Sequence, residues 1–163
     1  MDVLFKQKML LIIRALYFCM EDNWSLLERK FQVTPAQQHI LFLLSTNKSE
    51  LTPTQISELG CWHISTVTRL LKPLKESGLV EVSVNKDRPR FKRVMLTDSG
   101  KKLIIQLMDE FKEMEQMPLQ IGDLSEEELA TFLEIGEKIL GVHKGENFMN
   151  MLVQARVENY DYA

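Results

Sequence analysis

Ser65, Thr66, Thr68 and Arg69 stand together in the chain, Lys72 follows, and Lys86, Arg88, Arg90 and Lys92 gather around Pro89. Small hydroxyls beside a guanidinium suit a close approach to base edges and phosphate oxygens. A short hydroxyl side chain keeps its backbone near the surface it reads, while Arg reaches a guanine edge or a phosphate. A basic loop tip suits the narrow, strongly negative minor groove of A·T-rich duplex. Each feature has a plainer reading. Ser and Thr at a helix start also act as caps, and basic hairpin tips also sit in solvent.

The charge distribution decides where to look. The net charge is -3, from 20 basic and 23 acidic side chains. Residues 1–59 balance at 6 against 6; residues 60–104 carry 10 basic and 4 acidic groups, and residues 105–163 carry 4 and 13. One positive block in an acidic chain points to a localised face for a polyanion, with the C-terminal arm repelling it. A solvated surface of uneven charge is the alternative. Other chemistries have less support. The chain has no Gly-rich phosphate loop, no nucleophile elbow and no paired metal-ligand motif, so an enzyme is not expected. The acidic run Glu126 to Glu128 reads as the first turn of a helix. His39, His63 and His143 lack ligand spacing, and no cofactor is expected.

Composition frames the elements that must position these groups. With 45% apolar and 26% charged residues and few Gly or Pro, the 163 residues read as one soluble globular domain. Cys19 and Cys61 are too few for a disulfide framework, which favours a reducing compartment. The apolar run from Met9 to Met20 is interrupted by Arg14, lacks a small-residue cleavage site and is too short to span a membrane. A cytoplasmic location without membrane attachment is the expectation.

The chain reads as helices with one strand pair. Val3 to Phe31 is apolar almost all round, so it needs cover on every side, part of it from a second copy. Thr34-Pro35-Ala36-Gln37 and Thr52-Pro53-Thr54-Gln55 are twin helix starts, each with a Thr cap, Pro in the first turn and Gln to complete a capping box. The first helix turns Ile40, Leu41, Leu43 and Leu44 inward. The second buries Ile56 and Leu59 and stops at Gly60, read as a left-handed C-cap. From His63 to Ser77, Ile64, Val67, Leu71 and Leu74 form the buried stripe of another helix. At about 100° per residue, its opposite face presents Ser65, Arg69, Lys72 and Glu76, flanked by Thr66 and Thr68. Pro73 predicts a bend or an early loosening there.

Leu79 to Val84 and Phe91 to Leu96 are strand-like, joined by a turn-rich basic tip. Thr97 starts a long helix with Ile104, Leu107, Met108, Phe111 and Met114 on one stripe, ended by Pro118. Ser125 to Glu128 is a further capping box, whose helix turns Leu129, Phe132, Leu133, Ile139 and Leu140 to one side. Glu146 to Arg156 reads as a short helix and Glu158 to Ala163 as a loose tail.

A short helix, a turn, a second helix and a hairpin form a winged helix-turn-helix, lying in the basic block. Leu51-Thr52, Ile56-Ser57-Glu58-Leu59, Ser65-Thr66-Val67-Thr68-Arg69-Leu70, Leu79-Val80, Asp87-Arg88 and Leu96-Thr97-Asp98-Ser99-Gly100, in this order and spacing, resemble the MarR family of bacterial transcription regulators. The resemblance implies a mainly α fold with a small β-hairpin wing. It divides the single domain 1–163 into a winged helix-turn-helix at 34–97, dimerisation helices at 1–33 and 98–145, and a tail at 146–163.

It also implies a homodimer, a repressor in most members, on pseudo-palindromic double-stranded DNA. Ser65, Thr66, Thr68 and Arg69 would lie in the recognition helix and Arg88 and Arg90 in the wing. Apart from the resemblance, Lys72, Lys86 and Lys92 are expected on phosphates, which would make binding fall steeply with salt. A small-molecule effector of unassigned identity fits the family too. Two features depart from its pattern. The turn Gly60 to Ile64 is one residue longer than the common form and closer to the Hpr branch of protease-production regulators, and Pro89 stands where the wing usually carries Arg.

Three readings compete within or beside this fold. His39 sits where zinc-responsive relatives have a ligand, but Leu103 to Met117 contains no His to complete such a site. Cys19 lies in the first helix, as does the reactive Cys of peroxide-sensing relatives; its apolar setting favours core packing over a redox role. A winged helix used only for protein contacts would need neither the Ser65-to-Arg69 surface nor a basic tip.

Overall fold

The computed structural model describes residues 2–46, 50–84, 92–115 and 118–162. Its first element, α1 (Val3–Phe31), runs 29 residues without Gly or Pro. The Asp2 carboxylate caps it by accepting the Phe5 amide at 2.7 Å. Arg29 and Lys30 complement the dipole of its last turn, and Gln32 in the left-handed region (φ 58°) ends it.

The two Thr-Pro starts open helices as their spacing predicts. In α2 (Pro35–Thr46) the Thr34 hydroxyl accepts the Gln37 amide while the Gln37 side chain accepts the Thr34 amide. In α3 (Pro53–Leu59) Thr52 and Gln55 do the same. These reciprocal bonds satisfy amides that have no partner inside a helix. Around α2 the core forms: Ile40, Leu41, Leu43 and Leu44 are all 0% exposed. Leu51, Ile56, Val67, Leu74, Val80 and Val94 close over it, joined from α5 (Asp98–Glu113) by Ile104 and Leu107.

The hairpin is present as β2 (Val80–Val84) and β3 (Lys92–Leu96), antiparallel, with Val80 opposite Leu96 and Val84 opposite Lys92. A strand not anticipated from the sequence, β1 (Glu50–Leu51), joins β3 on its other edge, giving the order β1-β3-β2. Two residues are too few to show alternation; the pairing is made by β3 and by an ion pair between Glu50 and Arg93. α4 (Ile64–Glu76) links α3 to the hairpin and packs on both α3 and β2. It continues helically past Pro73 to Glu76, so the expected early loosening is absent. Gly78 (φ 71°) then turns the chain into β2.

The remaining helices depart from expectation in instructive ways. α5 stops at Glu113 with an extended Met114, short of Pro118. In α6 (Glu126–Lys144) the Ser125–Glu128 capping box forms, and the Ser125 amide donating to the Glu128 carboxylate holds that group below the usual carboxylate range. Its apolar stripe, Phe132, Leu133, Ile139 and Leu140, faces solvent in the single chain. The loose tail expected from Glu158 is instead folded down. After α7 (Glu146–Leu152), Val157 enters the core, and the Glu158 amide donates to the Ser45 carbonyl. The Tyr162 hydroxyl accepts the Val157 amide at 2.8 Å. Short-range pattern missed this segment because its anchor at Ser45 lies over 100 positions away in sequence.

Candidate nucleic-acid interface

The connection between α3 and α4 is a four-residue turn built around Trp62. The Trp62 amide donates to the Ser57 carbonyl at 3.0 Å, and the Trp62 carbonyl accepts the Ser57 hydroxyl at 2.7 Å. A Cβ at position 60 would run into the Trp62 ring, so the close approach requires glycine. Gly60 is not the left-handed cap expected of it: its φ is -82°, and Cys61 takes the left-handed conformation (φ 54°) instead.

His63 then caps α4, its Nδ1 accepting the Ser65 amide at 3.3 Å and lying 2.8 Å from the Ser65 hydroxyl. Sequence reasoning missed this role of His63. Its only signal was position, one residue before the apolar stripe and two before a Ser.

On α4 the stripe is buried at Val67, Leu71 and Leu74 but not at Ile64, which is 41% exposed. Ile64 is the first helical residue, and the core covers the stripe only from Val67 onward. The opposite face is open. Ser65, Thr68, Arg69 and Lys72 are exposed and Thr66 is half-buried. The Thr68 hydroxyl donates to the Ile64 carbonyl, which leaves its lone pairs outward. Lys72 meets Glu76 only at 4.0 Å, between two exposed side chains, a pairing that water and salt largely screen. Among the described residues no ion pair engages Arg69.

Lys92 is exposed at the first residue of β3, opposite Val84 at the loop end of the hairpin. Lys86, Arg88 and Arg90 lie outside the described residues, as does the Asp87–Pro89 turn. The structure thus brings Ser65, Thr68, Arg69 and Lys72 onto one open helix face, beside a hairpin that carries Lys92.

Elsewhere in the chain α1, α2, α5 and the C-terminal segment line a largely apolar, partly open cavity of about 410 Å³, with Trp24, Phe42, Leu107, Phe111 and Tyr162 among its walls. Its polar side chains include Gln38 and His39, beside the Trp24 indole N–H and the Tyr162 hydroxyl. The Gln38 amide is engaged at both ends, accepting the Trp24 indole N–H at 2.6 Å and donating to the Val33 carbonyl at 2.7 Å. His39 sits between the Trp24 and Trp62 rings, and burial pushes its imidazole pKa below the ordinary value of 6.5. Aromatic rings, not metal ligands, surround it. Among the described residues no group of three or more His, Cys, Asp or Glu side chains gathers as a metal site.

Cys19, expected in the core, is exposed on α1, because that helix buries only Leu27 within its own chain. Cys61 is exposed in the turn. No helix among the described residues is long and apolar enough to cross a membrane.

These elements define a winged helix-turn-helix protein, and residues 33–88 of the chain match the model of the MarR family. Among curated proteins it is similar to the HTH-type transcriptional regulator Hpr of Shouchella clausii (strain KSM-K16), 31% identical over 112 residues, covering 69% of this chain and 57% of that protein. The chain therefore spans somewhat over half the length of the curated relatives it matches.

Among solved structures it resembles the S. aureus MepR–DNA complex, with a TM-score of 0.70 and 28% identity over 81% of this chain and 95% of MepR. Bordetella bronchiseptica BpsR, whose DNA binding is regulated by 6-hydroxynicotinic acid, shares the fold at a TM-score of 0.73 and 19% identity, over 81% and 98% of the two chains. The Hpr resemblance agrees with the branch suggested by the long turn, and the relatives named here are regulators rather than enzymes.

Proposed function

We propose that the chain is a sequence-specific DNA-binding transcription regulator that acts as a homodimeric repressor on a pseudo-palindromic operator in the cytoplasm. The observation that carries this reading is the open face of α4, where Ser65, Thr68 and Arg69 stand exposed over a buried apolar stripe. A helix with that division lies in a major groove with its first turns against base edges. Arg69 reads a base edge or phosphate, Ser65, Thr66 and Thr68 approach the groove, and Lys72 and Lys92 contact phosphate. Lys86, Arg88 and Arg90 at the wing tip enter the adjacent minor groove. MepR, a relative of similar fold, has been crystallised with DNA, which supports this assignment.

Dimerisation follows from α1 and α6. Leu4, Leu10, Leu11, Ile12 and Ile13 on α1 and Phe132 and Leu133 on α6 are more than half exposed in the single chain. Apolar patches of this extent mark an interface. Two-fold pairing through these helices sets two recognition helices about one DNA turn apart, or a multiple of it. The cavity between α1, α2 and α5 suits an effector that is apolar and ring-bearing, with one polar atom to meet Gln38 or His39.

Selection of bound duplexes from a random pool tests the proposal. The expected result is an enriched inverted repeat whose binding weakens steeply as salt rises. Recovery of no sequence preference, at any salt, would overturn it.

A further inference from the structure

The residue ahead of α4 carries a polarity that the backbone fixes. The Ser65 amide can only donate, and it donates to Nδ1 of His63 at 3.3 Å. Nδ1 is therefore the acceptor of the imidazole, and the proton of the neutral ring stands on Nε2. The Ser65 hydroxyl lies 2.8 Å from the same Nδ1. With Nδ1 accepting, that hydroxyl is the donor of the pair, and its oxygen keeps lone pairs for an incoming donor. Thr68 is set in the same way, since its hydroxyl donates to the Ile64 carbonyl at 3.0 Å.

The leading edge of α4 thus presents groups of fixed sign: donors at His63 and Arg69, acceptors at Ser65 and Thr68. None of this is spent inside the protein. His63, Ile64 and Ser65 are all exposed, and among the described residues no partner meets Nε2 of His63. Capping alone does not call for a ring here, because a Ser or Asp at position 63 would hold the same amide with a shorter side chain. The imidazole adds reach, and it adds a second nitrogen on the side of the ring away from the cap.

We propose that His63 is a specificity-determining residue whose Nε2–H donates to the major-groove edge of a guanine, while the Ser65 oxygen beside it accepts the amino group of a cytosine or adenine. The inference rests on the DNA-binding reading and adds to it a residue and a sign for each contact. Guanine shows two acceptors, N7 and O6, and no donor in that groove, so it suits an isolated N–H. Cytosine N4 and adenine N6 carry the amino donors that Ser65 requires. A phosphate carries acceptors only and would leave the Ser65 oxygen facing like lone pairs, whereas base edges supply both signs.

Selection from a random duplex pool, repeated with variants of the full chain, reads this assignment base by base. The unmodified chain is expected to enrich a guanine in each half-site, preferred over the other bases by about fivefold or more. H63S keeps a hydroxyl at the cap and removes the ring, so its melting temperature is expected to stay near that of the unmodified chain. Its preference for that guanine is expected to fall below about twofold, with the other positions of the half-site read as before. H63T, a second hydroxyl cap, decides the matter if H63S does not fold. S65A retains the amide that sets the His63 proton, and it is expected to keep the guanine and lose the preference at the amino-bearing base.

A merely structural role would be rescued by the restored cap, so full guanine preference in H63S would overturn the inference. Equal loss on every sequence in H63S would make His63 a phosphate contact and overturn it too, as would an operator with no guanine common to its two half-sites or unchanged preferences in S65A. In each of these outcomes the unmodified chain still recovers a preferred sequence, and the DNA reading stands. Recovery of no preferred sequence by the unmodified chain would overturn that reading and this inference together.

Discussion

Two regions of this molecule both carry apolar stripes and end in opposite environments. The winged lobe seals itself: four α2 side chains are wholly removed from solvent, and α3, α4, the hairpin and α5 close around them. The long helices do not. Within the single chain α1 buries one residue in 29, and α6 buries none in 19. The difference teaches that apolar content fixes how much cover a helix needs, and that only the arrangement of neighbours says where the cover comes from.

The largest expected effect comes from attacking the uncovered region at its proposed interface. Ile12→Asp on α1 would place a charge in an apolar contact and is expected to weaken dimerisation by about two orders of magnitude or more, read by sedimentation. Retention of the dimer would remove α1 from the interface. Leu41→Ala strikes the sealed lobe and is expected to lose about 2–5 kcal/mol of unfolding free energy by denaturant titration, because the site is fully packed.

Arg69→Ala separates function from either region's stability. It is expected to relax discrimination between preferred and mismatched duplex by ~1–3 kcal/mol while leaving the melting temperature nearly unchanged. Equal loss on every sequence would make Arg69 a phosphate contact.

The paired capping boxes sharpen the comparison, since the same device starts a helix in each region. Thr52→Ala is expected to cost about 1 kcal/mol of lobe stability. Ser125→Ala is expected to lower the helicity of α6, seen by circular dichroism, with a smaller effect on lobe unfolding.

The smallest effect concerns pH. Burial lowers the His39 pKa below 6.5, so in the window between the folded and unfolded values the unfolded chain binds more protons. Stability therefore rises with pH through that window and declines as acid takes the pH below about 6.5. His39→Phe is expected to flatten that part of the profile in denaturant titrations at several pH values.

Much of this was legible in the residues. The Thr-Pro starts, the Ser125 box and the Thr97 cap each satisfy amides three positions away, so the sequence shows both partners at once. The open face of α4 followed from helical spacing alone. Features that needed distant partners were not legible. β1 exists because β3 lies beside it, and the tail is anchored by Ser45 and by a place in the core for Val157. Cys19 and Ile64 look like core residues from their neighbours in sequence, yet each projects where the chain supplies no cover. His63 as a cap and Trp62 as the plug of the turn were invisible because a ring's use depends on what it meets.

By itself, then, the sequence determined the order of the helices and of the two hairpin strands, the inward stripe of α2 and α4, and the concentration of positive charge between residues 60 and 104. These are local quantities, set by periodicity, caps and charge within a few residues. The tertiary structure alone decided that α2 is the centre of the core, that three rings from three separate elements meet at His39, and that the C-terminal segment walls the cavity. The reason is that packing joins residues far apart along the chain, and which of them meet depends on the whole set of elements closing together.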